Sequence, residues 1–169
     1  TVLRPGWNDP VEIKKMLDCG AQSLLIPYVQ TAQEAAAAVA ATRYAPEGMR
    51  GVAAVTRATR YGAIPQYHKR AAEELCLLVQ VETVEALEQL DEIAAVPGVD
   101  GVFIGPGDLA ASMGLAGEAG HPDVQAKVVE AIARITALGQ AAGLLAADPG
   151  FLREAEAAGA LFMAVGVDM

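Results

Sequence analysis

Carboxylates follow two apolar segments of this chain, at the point where each predicted strand ends. Glu82 closes the run 75–82, and Asp108 follows the run 102–104 after a Gly-Pro-Gly turn. Because neighbouring parallel strands end at one rim, we expect the two carboxylates to converge there. Two anionic oxygen ligands with no histidine or cysteine nearby favour Mg²⁺, Mn²⁺ or Co²⁺ over zinc. The alternative is structural, since carboxylates are common at helix starts.

Two further polar residues are predicted to lie near the same rim. Gln80 is two residues before Glu82 and therefore on the same face of the strand, where it holds a substrate or satisfies a neighbouring backbone group. Arg4 ends the first predicted strand. Its guanidinium is suited to stabilising a developing oxyanion, or to a salt bridge with the acidic rim.

Three other titratable residues carry weaker signals. Asp18 falls in the last turn of the first predicted helix, where the helix dipole disfavours a negative charge and calls for a compensating cation. A partner histidine outside this chain fits this position, and so does a solvated surface acid. His68 and His121 fall at helix starts, so neither is a convincing base or metal ligand.

Strands alternate with helices along the chain. We predict strands at 1–4, 23–29, 75–82, 102–104, 143–146 and 161–167, and helices at 11–19, 31–42, 67–74, 84–95, 121–138 and 150–158. This order predicts an α/β fold, either a doubly wound sheet or most of a (β/α)₈ TIM barrel. Polar residues recur at several strand ends, which favours the barrel over a sheet with one switch point. These residues are Arg4, Gln80, Glu82, Asp108 and Asp168.

Composition predicts a single domain over residues 1–169, with 53% hydrophobic and 20% charged residues. A formal net charge of -9 argues against nucleic acid and membrane partners. The two cysteines lack a CxxC spacing, and no leader or apolar span is evident, which favours a cytoplasmic protein. A complete barrel needs about 250 residues. We therefore expect about six of eight strand-helix units, with strands missing before Thr1, a closing helix missing after Met169, and no stable monomer.

Absent motifs narrow the chemistry further. Every lysine lies on a predicted helix, which argues against a Schiff-base nucleophile at the rim. Neither a GxxxxGK[ST] loop nor a GxGxxG turn is present, so nucleotide cofactors are not indicated. The long connection over 44–66 carries arginines at 50, 57 and 60 and is expected to be a binding loop or lid.

With these motifs in hand, the chain resembles the HpcH/HpaI aldolase family of metal-dependent pyruvate aldolases. The resemblance extends over essentially all 169 residues. It is carried by Leu3-Arg4-Pro5-Gly6-Trp7-Asn8-Asp9-Pro10, Thr42-Arg43-Tyr44 with Gly51-Val52, Val79-Gln80-Val81-Glu82-Thr83, Gly101-Val102-Phe103-Ile104-Gly105-Pro106-Gly107-Asp108-Leu109 and Ala164-Val165-Gly166-Val167-Asp168.

The resemblance implies a role for each candidate residue. Glu82 and Asp108 bind the metal, Gln80 and the backbone at Gly107 and Asp108 hold the pyruvyl group, and Arg4 stabilises the transition state. Asp18 raises the basicity of a catalytic histidine on an earlier strand. No residue of this chain occupies the place of that histidine.

The implied activity is the reversible retro-aldol cleavage of a 4-hydroxy-2-oxo acid, such as 4-hydroxy-2-oxoheptanedioate, to pyruvate and an aldehyde. Enzymes of this kind act in the catabolism of aromatic compounds, and the expected assembly is a homo-oligomer, a trimer or hexamer. Three alternatives stay open: an acyl-CoA lyase of the citrate lyase β-subunit type, a barrel that binds oxo acids without catalysis, and a structural fragment.

Overall fold

A computed structural model describes residues 1–167 of the chain. Five parallel strands form one sheet, and their order in the sheet is the order of the chain. The strands are β1 (Ser23–Ile26), β2 (Cys76–Val81), β3 (Gly101–Ile104), β4 (Ala141–Leu145) and β5 (Ala160–Ala164). Within residues 1–167 the order never reverses, so the sheet lacks the switch point of a doubly wound fold.

Helices connect the strands and precede the first of them. They are α1 (Pro10–Asp18), α2 (Ala32–Thr42), α3 (Tyr67–Arg70), α4 (Val84–Glu88), α5 (Leu90–Ala94), α6 (Pro106–Ser112), α7 (Pro122–Ala137) and α8 (Pro149–Ala157), and a 3₁₀ turn spans Ala71–Glu74. Capping side chains fix several helix starts. The Asp9 carboxylate accepts from two backbone N–H groups of α1, and Thr31 caps α2. No helix within residues 1–167 is long and apolar enough to cross a membrane.

The two faces of the sheet differ in what covers them. In β2 the alternate residues Leu77, Val79 and Val81 are almost completely buried in the core under the helices. Gln80 lies between them and faces the other side, in register with Phe103. The rings of Phe103 and Phe162 meet on this second face with centroids 5.6 Å apart. The side chains on this face position the site.

The predicted elements at both ends of the sheet need correction. Residues 1–4 make one parallel bridge, Leu3 to Leu24, rather than a regular strand, so the sheet has five strands and not six. The strand predicted over 23–29 ends at Ile26. It stops there because Tyr28 adopts a positive φ of 56°, which no extended strand accommodates. Asp168 lies outside the described residues.

Three helical segments also differ from the prediction. The segment 67–74 is a short α-helix followed by a 3₁₀ turn, and the segment 84–95 is divided at Gln89 into α4 and α5. Helix α6 is not among the predicted helices, because its sequence begins Pro-Gly-Asp, which is typical of a turn. A helix start at Asp108 entered only as the structural alternative to a metal ligand. Pro106 nevertheless suits the first helical position, where a missing N–H costs nothing.

Candidate active site

The ends of β2 and β3 lie side by side. Val81 pairs with Ile104, and the backbone N–H of Gly105 donates to the carbonyl of Val81 at 3.1 Å. Glu82 and Gly105, each the next residue along its strand, are therefore neighbours at the carboxyl end of the sheet. This register brings the first predicted ligand next to the turn that carries the second.

Glu82 is buried, with 3% of its surface exposed, and both of its oxygens are held. Oε1 accepts from the backbone N–H of Tyr28 at 2.8 Å, and Oε2 accepts from the side-chain amide of Gln80. The prediction that Gln80 and Glu82 share one face is confirmed. Two hydrogen bonds hold the carboxylate in one orientation before any ligand binds.

Asp108 is the third residue of α6 and is exposed, so the site opens to the surface on this side. Burial raises the pKa of Glu82, and the neighbouring Asp108 carboxylate adds to the rise, bringing it to about 7 against the opposing hydrogen bonds of Tyr28 and Gln80. The two predicted ligands therefore lie close enough for their charges to interact. Like charges placed together in this way are stabilised by a cation.

The absence of a side chain at Gly105 makes room for this pair. A Cβ atom on Gly105 would lie 2.5 Å from Glu82 Oε2 and 2.6 Å from Gln80 Nε2. Neither distance is possible for real atoms, so any larger residue would displace the carboxylate. Gly107 differs, because a Cβ atom there would meet nothing within 4 Å.

One polar atom of the site has no partner. The side-chain oxygen of Gln80 is buried and accepts no hydrogen bond in the structure. Leaving such an atom unpaired costs about 1–3 kcal/mol, so this oxygen is available to a hydrogen-bond donor. Within residues 1–167, no group of three or more His, Cys, Asp and Glu residues is arranged to hold a metal. A cation here would take two carboxylates from the protein and its other ligands from water or substrate.

Tyr28 is a site residue that the sequence did not reveal. Its positive φ turns its backbone N–H towards Glu82, and its ring stacks on that of Trp7 with centroids 5.3 Å apart. A non-glycine residue with positive φ has no reliable sequence signal. Gly105 had a weaker but usable signal, since it directly follows β3 opposite the predicted ligand.

Arg4 lies beyond β1 from the strand that carries Glu82, next to the bridge between Leu3 and Leu24. Its side chain is exposed and forms no ion pair with any of residues 1–167. The structure therefore brings together Glu82, Gln80 and Asp108 and leaves Arg4 free at the surface. The salt bridge considered as an alternative for Arg4 is not formed within this part of the chain.

Asp18 lies at the opposite end of the sheet. Helix α1 ends there, shortly before β1 begins, and the carbonyl of Gln22 accepts from the backbone N–H of Cys76 at the start of β2. Glu82 is six residues further along this strand, about 20 Å away at 3.3 Å per residue. The structure thus does not bring Asp18 to the carboxylate pair of the same chain.

The cations that Asp18 needs are supplied by its own chain. Lys14 bonds one carboxylate oxygen, and the fully buried side chain of Arg50 donates to the other at 2.9 Å. Burial works to raise the pKa of Asp18, but the hydrogen bonds and charges of Lys14 and Arg50 outweigh it and hold that pKa below its usual value. Asp18 is therefore an oriented, ionised carboxylate and not a solvated surface acid.

The remaining titratable candidates lie on helices or at their starts, as predicted. His121 caps α7 and His68 is in α3. The lysines lie on helices, at positions 14, 15, 69 and 127. Cys76 is half-buried at the first position of β2.

Comparison with known proteins identifies the family. The model of the HpcH/HpaI aldolase/citrate lyase family matches residues 1–169. The chain belongs to this family. The resemblance inferred from the motifs is confirmed.

Relatives within the HpcH/HpaI family are close in sequence. A hydroxypyruvate/pyruvate aldolase of Sagittula stellata is 62% identical over 167 residues, which cover 99% of this chain and 66% of that protein. A 4-hydroxy-2-oxo-heptane-1,7-dioate aldolase of Salmonella paratyphi B is 55% identical over 168 residues, covering 99% and 64%. A crystal structure of a family protein from Burkholderia cenocepacia J2315 matches with a TM-score of 0.90 at 38% identity, covering 96% of this chain and 65% of that one. The chain spans 64–66% of the length of these curated relatives.

Proposed function

We propose that the protein is a divalent-metal-dependent pyruvate aldolase that cleaves 4-hydroxy-2-oxo acids to pyruvate and an aldehyde. The observation that carries this proposal is the buried Glu82 carboxylate held beside Asp108 at the ends of two adjacent strands. Relatives at 55–62% identity are named hydroxypyruvate/pyruvate aldolase, pyruvate aldolase and 4-hydroxy-2-oxo-heptane-1,7-dioate aldolase. Family and site therefore support the same reaction.

The residues at the site suit a hard divalent cation. Glu82 and Asp108 would hold it, and the donor set of carboxylate oxygens is the one that Mg²⁺, Mn²⁺ and Co²⁺ prefer. When bound, the cation supplies a Lewis acid that polarises the oxo group of the substrate. Burial raises the pKa of Glu82, and the neighbouring Asp108 carboxylate adds to the rise, to about 7, so a positive charge bound here would favour the ionised form of both residues.

The other site residues would bind and orient the oxo acid. The unpaired oxygen of Gln80 accepts a hydrogen bond from a substrate hydroxyl or a water molecule. The N–H groups of Gly107 and Asp108 lie in the first turn of α6, where they lack partners within the helix, and they bind the carboxylate of the pyruvyl unit. Cleavage of the C3–C4 bond leaves its electron pair on pyruvate as the enolate, and Arg4 balances this charge.

Removal of the 4-hydroxyl proton needs a base, and the family resemblance assigns it to a histidine that none of residues 1–167 replaces. Asp18 is the proposed partner of that base. Because Asp18 lies at the amino end of the sheet and Glu82 at its carboxyl end, we propose that Asp18 serves a site on another copy of the chain. This placement supports the proposal of a homo-oligomer. We also propose that the protein acts in the cytoplasm, because its two cysteines lack a CxxC spacing.

We further propose that the sheet is an arc of a (β/α)₈ barrel. The sequential strand order, the helices on one face and the aromatic residues on the other support it. The bridge from Leu3 to Leu24 continues the arc beyond β1.

The proposal is tested by measuring pyruvate release from a panel of 4-hydroxy-2-oxo acids by the full-length protein, with and without a chelator. Residues 1–169 by themselves are expected to be inactive, because the base histidine is not among them. We expect turnover that stops on chelation and returns with Mg²⁺, Mn²⁺ or Co²⁺. The Glu82→Gln and Asp108→Asn variants should each lose at least about 100-fold in kcat. The matched control is Glu85→Gln, an exposed residue in the first turn of α4 that should turn over normally.

Other results would assign another activity. Cleavage that requires a CoA thioester would indicate a lyase of the citrate lyase type. Pyruvate binding without any aldehyde release would indicate an oxo-acid-binding protein. Wild-type rates after metal removal would contradict the proposed role of Glu82 and Asp108.

A further inference from the structure

A cavity lies at the amino ends of the strands, at the opposite end of the sheet from the carboxylate pair. Its volume is about 380 Å³, which is within the range of small-ligand sites. Gln22 and Leu75, which directly precede β1 and β2, form part of its wall. Arg57, Arg60, Arg70 and Glu74 also line the cavity.

Positive charge is concentrated at this cavity in a chain that is otherwise acidic. Three arginines and one glutamate line it, whereas the whole chain carries a net charge of -9. Arg57 and Arg60 form no ion pair with any of residues 1–167, and Arg70 makes only an exposed pair with Glu73, at 3.3 Å. These guanidinium groups are available to an anionic ligand, and their forked donors match a carboxylate.

The segment that presents Arg57 and Arg60 is an ordered turn. Thr59, 1% exposed, lies between them at its centre. The Thr59 hydroxyl accepts from the backbone N–H groups of Thr56 and Gly62, each at 3.0 Å, and donates to the carbonyl of Thr56 at 2.9 Å. The backbone N–H of Ala58 also donates to the carbonyl of Asp18 at 3.1 Å, which ties the turn to the end of α1. A turn fixed in this way loses little entropy when it binds a ligand.

The backbone around the cavity is also strained. Arg60, Tyr61 and Gln66 adopt positive φ values of 47°, 55° and 54°, although none of them is glycine. Each such residue costs of order 1–3 kcal/mol, and such strain concentrates at functional sites. One of these strained residues, Arg60, is itself one of the arginines that line the cavity.

From these observations we propose that Arg57 and Arg60, with Arg70, form a carboxylate-binding site at the amino end of the sheet. Seven residues of strand separate Leu75 from Glu82, a distance of about 23 Å. The cavity is therefore distinct from the carboxylate pair within one chain. The carboxylate comes either from a free small acid or from the far end of a dicarboxylic substrate held at the metal site of a second copy.

The first experiment measures binding of succinate by calorimetry to the chelator-treated protein, in which no metal is available to bind a carboxylate. We expect one succinate per chain. The Arg57→Gln/Arg60→Gln double variant should weaken its affinity by at least about 10-fold. Arg153→Gln, an exposed arginine on α8, is the matched control and should bind as the wild type does. The Arg57→Lys/Arg60→Lys variant keeps both charges without the forked geometry. Its affinity for succinate should therefore lie between those of the wild type and the double glutamine variant.

The second experiment distinguishes the two sources of the carboxylate. In condensation with pyruvate, KM is measured for succinic semialdehyde and for the uncharged propionaldehyde. A rise of about 10-fold or more for the charged aldehyde alone, in the double glutamine variant, assigns the site to the substrate of a neighbouring copy. An unchanged KM together with weakened succinate binding assigns it to a free acid.

Unaltered succinate affinity and unaltered KM in a folded double variant would overturn the proposal. The binding experiment needs no turnover, so its outcome is independent of the proposed aldolase activity. Succinate binding by a protein that cleaves no oxo acid would refute the aldolase and leave this site in place.

Discussion

Glu82 is a buried carboxylate with a second carboxylate, that of Asp108, beside it. The hydrogen bonds from Tyr28 and Gln80 fix its two oxygens, and the lack of a side chain at Gly105 gives them room. The orientation of this carboxylate therefore depends on three neighbours, none of which is itself a ligand. Substitutions of these neighbours should be visible as changes in metal affinity.

Gly105→Ala tests the space beside Glu82. The new methyl group would lie 2.5 Å from Glu82 Oε2, so the carboxylate must move. We expect the affinity for Mn²⁺ to fall by at least about 10-fold, in the range seen when residues that support metal ligands are altered. Gly107→Ala is the matched control, because its methyl group meets nothing within 4 Å. Equal Mn²⁺ affinities for the two variants would contradict the assigned role of Gly105.

Asp18 provides a prediction on pH. Lys14 and Arg50 outweigh the effect of burial and hold its pKa below the usual value, so the folded state favours the ionised form. This contribution to stability is present above the unfolded pKa of about 3.9 and is lost as the pH falls through the lower pKa of the folded state. The free energies of unfolding of wild type and Asp18→Asn, measured in urea from pH 2 to 6, should therefore differ most above pH 4 and converge towards pH 2. A difference independent of pH would contradict this.

The turn between residues 56 and 62 determines how the arginines are presented. Its order depends on the buried hydroxyl of Thr59, which satisfies two N–H groups and donates to a carbonyl oxygen. The turn lies at the amino end of the sheet, whereas the proposed metal ligands lie at the carboxyl end. Damage to the turn should therefore change stability and local order without changing metal affinity.

Thr59→Val removes that hydroxyl at nearly constant volume. The backbone N–H groups of Thr56 and Gly62 lose their acceptor, so the free energy of unfolding should fall by about 1–3 kcal/mol, or about 0.5–1.5 kcal/mol for each hydrogen bond. Thr56→Val is the control, because its hydroxyl accepts only a long hydrogen bond, 3.4 Å, from the N–H of Thr59. Hydrogen exchange at Gly62 should accelerate in the first variant and change little in the second. Similar exchange rates in both would show that Thr59 does not order the turn.

The sequence predicted those structural features that are marked by a residue pattern recurring along the chain. Apolar runs located every strand of the sheet, and the parallel register then placed Glu82, Gln80 and Asp108 together. Prediction from the sequence failed where one backbone angle decides the outcome, as at Tyr28, and where turn-forming residues begin a helix, as in α6. Those features depend on tertiary contacts that no local pattern encodes.

At the scale of the whole molecule, the two candidate sites lie at opposite ends of one sheet. The carboxylate pair is at the carboxyl end, whereas Asp18 and the arginine cavity are at the amino end. A site that uses both ends must be assembled from two copies of the chain. The account of the metal site does not depend on that assembly, since Glu82 and Asp108 come from adjacent strands of the same chain.

The central claim is that these two carboxylates bind one divalent cation, and the most direct measurement is a titration with Mn²⁺ followed by electron paramagnetic resonance. We predict one Mn²⁺ per chain in the wild type and in Glu85→Gln. The affinity should fall by at least about 100-fold in Glu82→Gln and in Asp108→Asn, because each loses one of two charged ligands. Wild-type Mn²⁺ binding by either of these variants would contradict the account.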